Sequence, residues 1–439
     1  MIISKKSILY DMLQTLPLAM IATFISILSW KSINFPNLTI AFFSSFLFIY
    51  AVNKMFRKKK INSHLIFLFS FYVGLYFNTF MLSSFQTEKD FIDIYYFFIG
   101  PLFFYFILYF FEIKDLYSVK YRKKIVNINV LYLLFLSSYI ILKLYISSLV
   151  GWRISTFYTS SHLQVGSLYS VSGYSGLAAI LQWILVIFSL YTKRKYAIVA
   201  LISIIIFSYL HVKRGDILRI AVFYLLFYSF NIFNKHNSIK LKNNFKNIFK
   251  IVIMIILLLG VFVYLGNRRE ELRGSSEMIM ANNIGIKDAP SYLSWFYGYI
   301  PINYEVVRFY FNVSPTYHPN AILNTIISQD VNNFNSEYSI NGFNASTILT
   351  TFIKDYGEFY FLEMILFAII IGFLIKLAKR EKFTGCYIFI LMILSYSFFG
   401  NYFEARSMFV TIVISLVIFP FLKIAEKSKI PAIQKSSCA

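Results

Sequence analysis

Long apolar stretches alternate with short polar turns along most of this chain. A helix needs roughly 20 mostly apolar residues to cross a bilayer. By that criterion the sequence predicts an all-α polytopic membrane protein with about twelve spanning helices. They are expected at residues 13–30, 33–53, 62–84, 91–111, 125–149, 170–191, 196–212, 216–233, 248–266, 355–375, 384–400 and 405–422.

One long polar interval, residues 267–354, interrupts this pattern between predicted helices 9 and 10. We therefore divide the chain into helices 1–9 at residues 1–266, a large loop at 267–354, and helices 10–12 with a tail at 355–439. A smaller polar loop is expected at 150–169. In a membrane protein of this kind, the large loop is where chemistry or recognition is expected.

The large loop contains segments with recognisable structural tendencies. Residues 289–313 are rich in Tyr, Phe and Trp and are broken by Pro290, Gly298 and Pro301, which predicts one or two short helices lying in the headgroup plane. Near the end of the loop, a helix is expected to start at Ser346-Thr347 and to continue through Asp355 into helix 10.

The charge distribution indicates topology rather than a nucleic-acid partner. The chain has 439 residues, of which only 14% are charged, and a formal net charge of +22. Lys and Arg concentrate in the segments that share a side with the N-terminus, as the positive-inside rule requires. Both termini are then cytoplasmic, the large loop lies on the outer side, and the cations contact anionic lipids.

Other functional classes are disfavoured by what the sequence lacks. Two cysteines form neither a disulfide framework nor a metal site. The sequence contains no Walker loop and no Rossmann glycine fingerprint, so nucleotide-driven chemistry is not expected.

Arginines break the positive-inside rule at three outer places. These are the turn between helices 7 and 8, the segment after helix 9 and the turn between helices 11 and 12. A guanidinium fork binds phosphate oxygens in a bidentate manner. Convergent arginines at one face therefore indicate an anionic ligand at the outer leaflet, either a lipid diphosphate or an ordinary anionic headgroup. The residues concerned are Arg214, Arg268, Arg269, Arg273 and Arg406.

Each of these arginines also has a simpler explanation. Arg214 can snorkel and pair with Asp216, with Arg219 one helical turn further on. The arginines after helix 9 can pair with neighbouring glutamates on a solvated helix. Arg406 lies two residues from Glu404 and can form a local ion pair with it.

Candidate catalytic and sugar-contacting residues lie in the two outer loops. His318 is the only histidine of the large loop and is a candidate general base, although a histidine between two prolines is also typical of a plain turn. Asn341 belongs to an Asn- and Ser-rich segment suited to binding hydroxyl groups, or simply to a loop. Trp152 and Arg153 lie in the smaller loop, where an interfacial aromatic belt is favoured over sugar stacking.

Several short motifs accompany this architecture. They are Lys213-Arg214-Gly215, Asn267-Arg268-Arg269, Ala345-Ser346-Thr347 and Asp355-Tyr356-Gly357. With twelve spans, cytoplasmic ends and a large outer loop between helices 9 and 10, the chain resembles the O-antigen polymerases, the Wzy class. Members often have a second glycine three residues after the last motif, where this chain has Tyr360.

The resemblance implies a fold, a substrate and a set of roles. The fold would be similar to the GT-C membrane glycosyltransferases, in the bacterial inner membrane, with no metal or other cofactor. The substrate would be an undecaprenyl-diphosphate-linked oligosaccharide, and a chain-length regulator protein would be a partner. The five outer arginines would stabilise the diphosphate leaving group, His318 or Glu337 would be the base, and Trp152, Arg153 and Asn341 would contact glycan.

Three other functions remain open. An O-antigen ligase has a similar topology and also depends on a loop histidine and arginine. A lipid-linked oligosaccharide flippase usually has two related halves and short loops, which this sequence does not show. A non-catalytic membrane scaffold would leave the outer arginines unexplained.

Overall fold

The computed structural model describes most, but not all, of the chain. The described residues are 5–30, 32–58, 60–113, 126–150, 171, 173–210, 214–234, 253, 260, 263–264, 285–286, 291–326, 347–400, 402–403 and 405–423.

Eight mainly apolar helices lie in the described residues of the first part of the chain. Apolar runs of this length become helical in a membrane because only a helix satisfies every backbone hydrogen bond within one segment. The helices are α1 (Lys5–Ile27), α2 (Phe35–Lys58), α3 (Ser63–Asn78), α4 (Phe91–Ile113), α5 (Ile128–Val150), α6 (Tyr174–Phe188), α7 (Arg194–Leu210) and α8 (Arg214–Asn234).

Shorter helices follow before the last apolar helices. In chain order the α-helices are α9 (Ser291–Tyr299), α10 (Asn303–Phe309), α11 (Asn320–Ile326), α12 (Leu349–Tyr356), α13 (Tyr360–Arg380), α14 (Thr384–Leu394) and α15 (Arg406–Ile418). Short 3-10 turns cover Tyr310–Asn312, Gly357–Phe359 and Phe419–Phe421. Strands β1 (Val126–Asn127) and β2 (Leu422–Lys423) pair in parallel, a two-residue exception to the all-α prediction.

The helices are those of an all-α membrane protein. Among the described residues, five helical segments are long and apolar enough to span a bilayer, at Phe35–Arg57, Phe91–Glu112, Ile128–Leu149, Gly215–Ile232 and Leu349–Arg380, the last of which includes the 3-10 turn Gly357–Phe359. Five shorter apolar helices accompany them. The count of twelve spans stays a prediction, because predicted helix 9 lies almost wholly outside the described residues.

The predicted continuous helix through Asp355 is wrong in one detail. The helix breaks after Tyr356, since Gly357 has a φ of +55° and a 3-10 turn follows before α13 begins. A Cβ on Gly357 would lie 3.3 Å from Pro315 Cγ, so Pro315 packs against the glycine backbone. Both the backbone angle and this close approach favour glycine at this position.

The described residues divide into two compact units. Unit 1 comprises Met1–Lys114, Met278–Phe373 and Ile393–Glu404, and unit 2 comprises Asp115–Glu277, Leu374–Met392 and Ala405–Ala439. In unit 1, α1 to α4 pack in sequence around an aromatic core. Phe67 and Phe104 form part of that core, with ring centroids 4.5 Å apart.

Unit 1 also contains α10, which the sequence placed in the headgroup plane together with its neighbour. Both short helices form, but α10 has five consecutive buried residues, Asn303–Val307. The ring of Tyr304 packs directly against α3 at Gly74. A Cβ added to Gly74 would lie 2.8 Å from Tyr304 Cε2. An interfacial helix keeps one face in the headgroups, so α10 is instead a packed element of unit 1.

In unit 2, α5, α6, α7 and α8 pack together, and α15 packs on α6. The ring of Trp183 in α6 lies 5.3 Å from that of Phe389 in α14. Phe383 and Phe419 stack at 3.8 Å with parallel rings. Apolar and aromatic contacts thus form the core of this unit.

Candidate functional site

The predicted base, His318, lies on an exposed turn of unit 1. This turn, residues 313–320, connects the 3-10 turn after α10 to the start of α11, and we call it the His318 turn. His318 and Tyr317 are both exposed. Tyr317 has a φ of +54°, a left-handed conformation that is unfavourable for a bulky side chain.

The backbone of the His318 turn is fixed by the C-terminal end of α12. The Thr316 N–H donates to the Lys354 carbonyl at 3.1 Å. The Tyr317 N–H donates to the Asp355 carbonyl at 2.8 Å. These two bonds hold the residues before His318, because carbonyls at the end of a helix have no partner within it.

The side chain of Asp355 fixes the other end of the same turn. Its carboxylate accepts hydrogen bonds from the Ala321 N–H at 2.7 Å and from Asn320 Nδ2 at 2.9 Å. Thr316 Oγ1 lies 3.4 Å from the same carboxylate. Asp355 is buried, so it contacts the residues on both sides of His318 without being exposed itself.

A second buried carboxyl group, that of Glu363 in α13, lies at the start of α11. The Ile322 N–H donates to Glu363 Oε1 at 3.4 Å. The first N–H groups of a helix have no internal acceptor, and carboxylates there also interact favourably with the helix dipole. Asp355 and Glu363 together therefore anchor α11 and, through it, the His318 turn.

Unit 1 contains a second polar cluster, built from two cations and two carboxylates. Lys89 pairs with Glu305, and Arg308 bridges Asp93 at 2.7 Å and Glu305 at 3.0 Å. Arg308 also donates to the Thr87 side chain and to the Glu88 carbonyl, the latter at 2.9 Å. We call Lys89, Asp93, Glu305 and Arg308 the buried charge cluster.

The pKa values in the buried charge cluster reflect burial opposed by pairing. Burial raises the pKa of Glu305, but Lys89 and Arg308 lower it further, so the pKa lies below its ordinary value. For Arg308, burial is outweighed by Glu305 and Asp93, and the pKa is raised. Burial dominates at Lys89, whose pKa is lowered. Both cations of the cluster are already paired with its carboxylates, so the cluster holds structure rather than attracting an anion.

Neutral side chains connect the buried charge cluster to α9 and α3. Asn78 Nδ2 donates to the Pro301 carbonyl at 2.9 Å and to Glu305 Oε1 at 3.1 Å. Tyr297 Oη bonds Gln86 Oε1 at 2.8 Å. Burial raises the pKa of Tyr297, so its hydroxyl stays protonated and can donate. The segment between α3 and α4 is thereby bonded to both short helices.

In unit 2, Asp216 lies near the predicted phosphate-binding residue Arg214, and the simpler alternative of an Arg214–Asp216 ion pair stays a prediction. Asp216 pairs with Arg219 at 2.6 Å, one helical turn along α8, and the Arg219 guanidinium lies 6.0 Å from the Trp183 ring centroid. Arg214 is the first residue of α8, but its side chain lies outside the described residues. The carboxylate of Asp216, close in sequence to the predicted phosphate contact Arg214, thus pairs with Arg219.

The remaining predicted site residues are mostly not described. Arg406 is exposed and begins α15. The other predicted site residues lie outside the described residues. These are the predicted phosphate contacts Arg268, Arg269 and Arg273, the predicted sugar contacts Trp152, Arg153 and Asn341, and the alternative base Glu337.

Sequence reasoning missed Asp355 as an anchor and the whole buried charge cluster. Asp355 belongs to the short motif Asp355-Tyr356-Gly357, which is a usable signal. Lys89 and Glu305 gave no such signal, because they are 216 positions apart in the chain. Among the described residues, no group of three or more His, Cys, Asp or Glu side chains is arranged to hold a metal ion.

No protein-family model, curated protein or solved structure matches this chain.

Proposed function

We propose that this chain is a membrane glycosyltransferase that polymerises undecaprenyl-diphosphate-linked repeat units of O-antigen or a related polysaccharide. The reaction would take place at the periplasmic face of the bacterial inner membrane. The observation that carries the proposal is His318, the predicted base, which is exposed on a turn that buried groups hold in place. A base must reach its substrate in a fixed geometry, and this turn meets both needs.

The proposed step is a transfer between two lipid-linked saccharides. The bond between the growing glycan and its lipid diphosphate breaks, and the diphosphate leaves with the bonding electrons. A hydroxyl of the incoming repeat unit forms the new glycosidic bond, and its proton passes to His318. Glu337 remains the alternative base.

Departure of the diphosphate requires positive charge near its oxygens. The outer arginines Arg214, Arg268, Arg269, Arg273 and Arg406 are proposed to supply it. Of these, Arg406 is described and is exposed at the first residue of α15. The buried charge cluster is not proposed for this role, because its cations are already paired.

An O-antigen ligase is the second candidate, since an exposed loop histidine serves both enzymes equally well. The two differ in what their loss leaves behind. Loss of a ligase leaves polymer on the carrier lipid. Loss of a polymerase leaves single repeat units attached to the lipid A core.

The test is complementation of a deletion strain, read by lipopolysaccharide gel. We expect the deletion to collapse the ladder to core plus one unit, and the wild-type gene to restore it. His318→Ala should fail to restore long chains although it reaches the membrane in normal amount. Ser314→Ala, an exposed change on the same turn, is the matched control and should restore them.

Other gel patterns would contradict the proposal. Loss of all substituted core, with polymer accumulating on carrier lipid, would establish the ligase instead. An unchanged ladder in the deletion strain would remove O-antigen assembly altogether. A normal ladder from His318→Ala would remove His318 as the base and leave Glu337 to be tested.

A further inference from the structure

Tyr317 combines an unfavourable backbone with an exposed side chain. Its φ of +54° places it in the left-handed region, which costs free energy for any residue other than glycine. Such a conformation persists only where the surrounding structure fixes it. Here 66% of Tyr317 is exposed, so packing of its ring does not account for the conformation.

The unfavourable conformation is maintained by contacts on both sides of Tyr317. Its own N–H and that of Thr316 donate to the last carbonyls of α12. Beyond His318, the Asp355 carboxylate accepts from Asn320 and from the Ala321 N–H at 2.9 and 2.7 Å. The turn is therefore held from a buried residue, while the rings of Tyr317 and His318 are exposed.

We propose that the His318 turn is a glycan-binding element, in which the Tyr317 ring is the face on which a sugar of the repeat unit stacks. Asp355 is the positioning residue that keeps this ring next to His318. The inference rests on the proposed function and adds a sugar contact to it. Unlike the sugar contacts predicted from the sequence, Tyr317 lies within the described residues.

The alternative role for an exposed tyrosine in a membrane protein is an interfacial belt. A belt residue needs only to reach the headgroups, and an ordinary backbone conformation is sufficient for that. A stacking face must instead be presented in one orientation, and a rigid ring loses little entropy when it binds. The fixed, unfavourable backbone of Tyr317 fits the second requirement.

The experiment measures transfer by the purified full chain in phospholipid vesicles. The substrate is undecaprenyl-diphosphate oligosaccharide extracted from the deletion strain. We expect Tyr317→Ala to raise KM by about 2- to 10-fold, the range for an aromatic contact, with kcat largely retained. Tyr317→Phe and Tyr317→Trp keep a ring and should remain close to wild type.

A glycine variant separates stacking from structure. Glycine adopts a φ of +54° without cost, so Tyr317→Gly should melt at the same temperature as wild type or higher. Its KM should nevertheless rise as for Tyr317→Ala. A purely structural role for Tyr317 predicts no loss of substrate binding when the fold is retained or strengthened.

The role of Asp355 is tested with a matched pair of variants. Asp355→Asn replaces the anchoring carboxylate by an amide. Glu358→Gln makes the same chemical change at an exposed position three residues later in the chain. We expect Asp355→Asn to raise KM in the wild-type background. In a Tyr317→Ala background the same change should raise KM by a smaller factor, because the ring it positions is gone. Glu358→Gln should leave KM unchanged in both.

The outcomes distinguish this inference from the function on which it rests. A wild-type chain that neither restores the ladder in cells nor transfers glycan overturns the proposed function and the glycan contact with it. An active wild type with an unchanged KM in Tyr317→Ala overturns the stacking role alone. Equal effects of Asp355→Asn with and without the Tyr317 ring would overturn the positioning role.

Discussion

Replacement of Arg308 by alanine is the strongest test of how unit 1 is held together. Arg308 donates to Asp93, to Glu305 and to the segment between α3 and α4. Asp93 has no exposed surface, and Glu305 is buried. Arg308→Ala therefore removes the Arg308 ion pair from Asp93 and leaves Glu305 with the Lys89 ion pair and the Asn78 hydrogen bond.

The magnitude follows from the burial of the stranded charges. Removing one partner of a buried ion pair costs about 3–5 kcal/mol, because the remaining charge is left in a poorly polar environment. Arg380 and Glu381 provide the matched control, since this pair in unit 2 is 3.3 Å apart and the Arg380 side chain is 34% exposed. Arg380→Ala should cost only about 0–1 kcal/mol.

The assay is reversible unfolding of the purified chain in mixed micelles, with SDS titrated in and helix content followed by circular dichroism. Adding Asp93→Asn to Arg308→Ala removes one stranded charge and should recover part of the lost stability. The reasoning would be refuted if Arg308→Ala and Arg380→Ala were equally mild. It would also fail if Asp93→Asn deepened the loss caused by Arg308→Ala.

Three further predictions concern the turn and the topology. Gly357→Ala should destabilise the chain by about 1–3 kcal/mol, measured in the same titration, because φ is +55° and Pro315 lies 3.3 Å from the new Cβ; an unchanged midpoint would contradict this. The pKa of Glu305 is lowered, so its contribution to stability is complete above about pH 4.5 and is lost as pH falls through the folded-state pKa. The unfolding midpoint of the wild type should therefore fall when the pH is lowered from 7 to 3. A midpoint independent of pH would refute this link between Glu305 ionisation and stability. Ser314 is exposed and is predicted to lie on the outer side, so Ser314→Cys, in a chain lacking the tail cysteine, should react with a membrane-impermeant maleimide in intact spheroplasts. Cys386 is buried and should not react. Labelling only after lysis would place the His318 turn on the cytoplasmic side.

The apolar helices were largely predictable from the sequence. The runs that became α2, α4 and α5 are continuous in sequence, and a membrane leaves such runs few alternatives to a helix. The break at Gly357 was not predicted, because glycine is also tolerated inside membrane helices. The positive φ of Gly357 and the packing of Pro315 against it are visible only in the folded chain.

The candidate site was predictable only in its local part. His318 was identifiable as the only histidine of the polar loop, and its exposure agrees with a role on the surface. The Asp355-Tyr356-Gly357 motif was a signal for Asp355, but its pairing with Asn320 was not identifiable, since the two residues meet only after the chain has folded back. Hydrophobic periodicity does not encode such pairings, and neither does residue type.

The late position of α10 in the chain has a consequence for biosynthesis. Asn78 and Lys89 emerge from the ribosome long before Glu305, the partner that both of them contact in the finished protein. Tyr304, whose ring packs against Gly74 of α3, is likewise synthesised long after α3. The contacts of the early helices with α10 therefore form only after α10 has been made. We expect chains truncated before α10 to be inserted but readily degraded, which pulse-chase in cells would show.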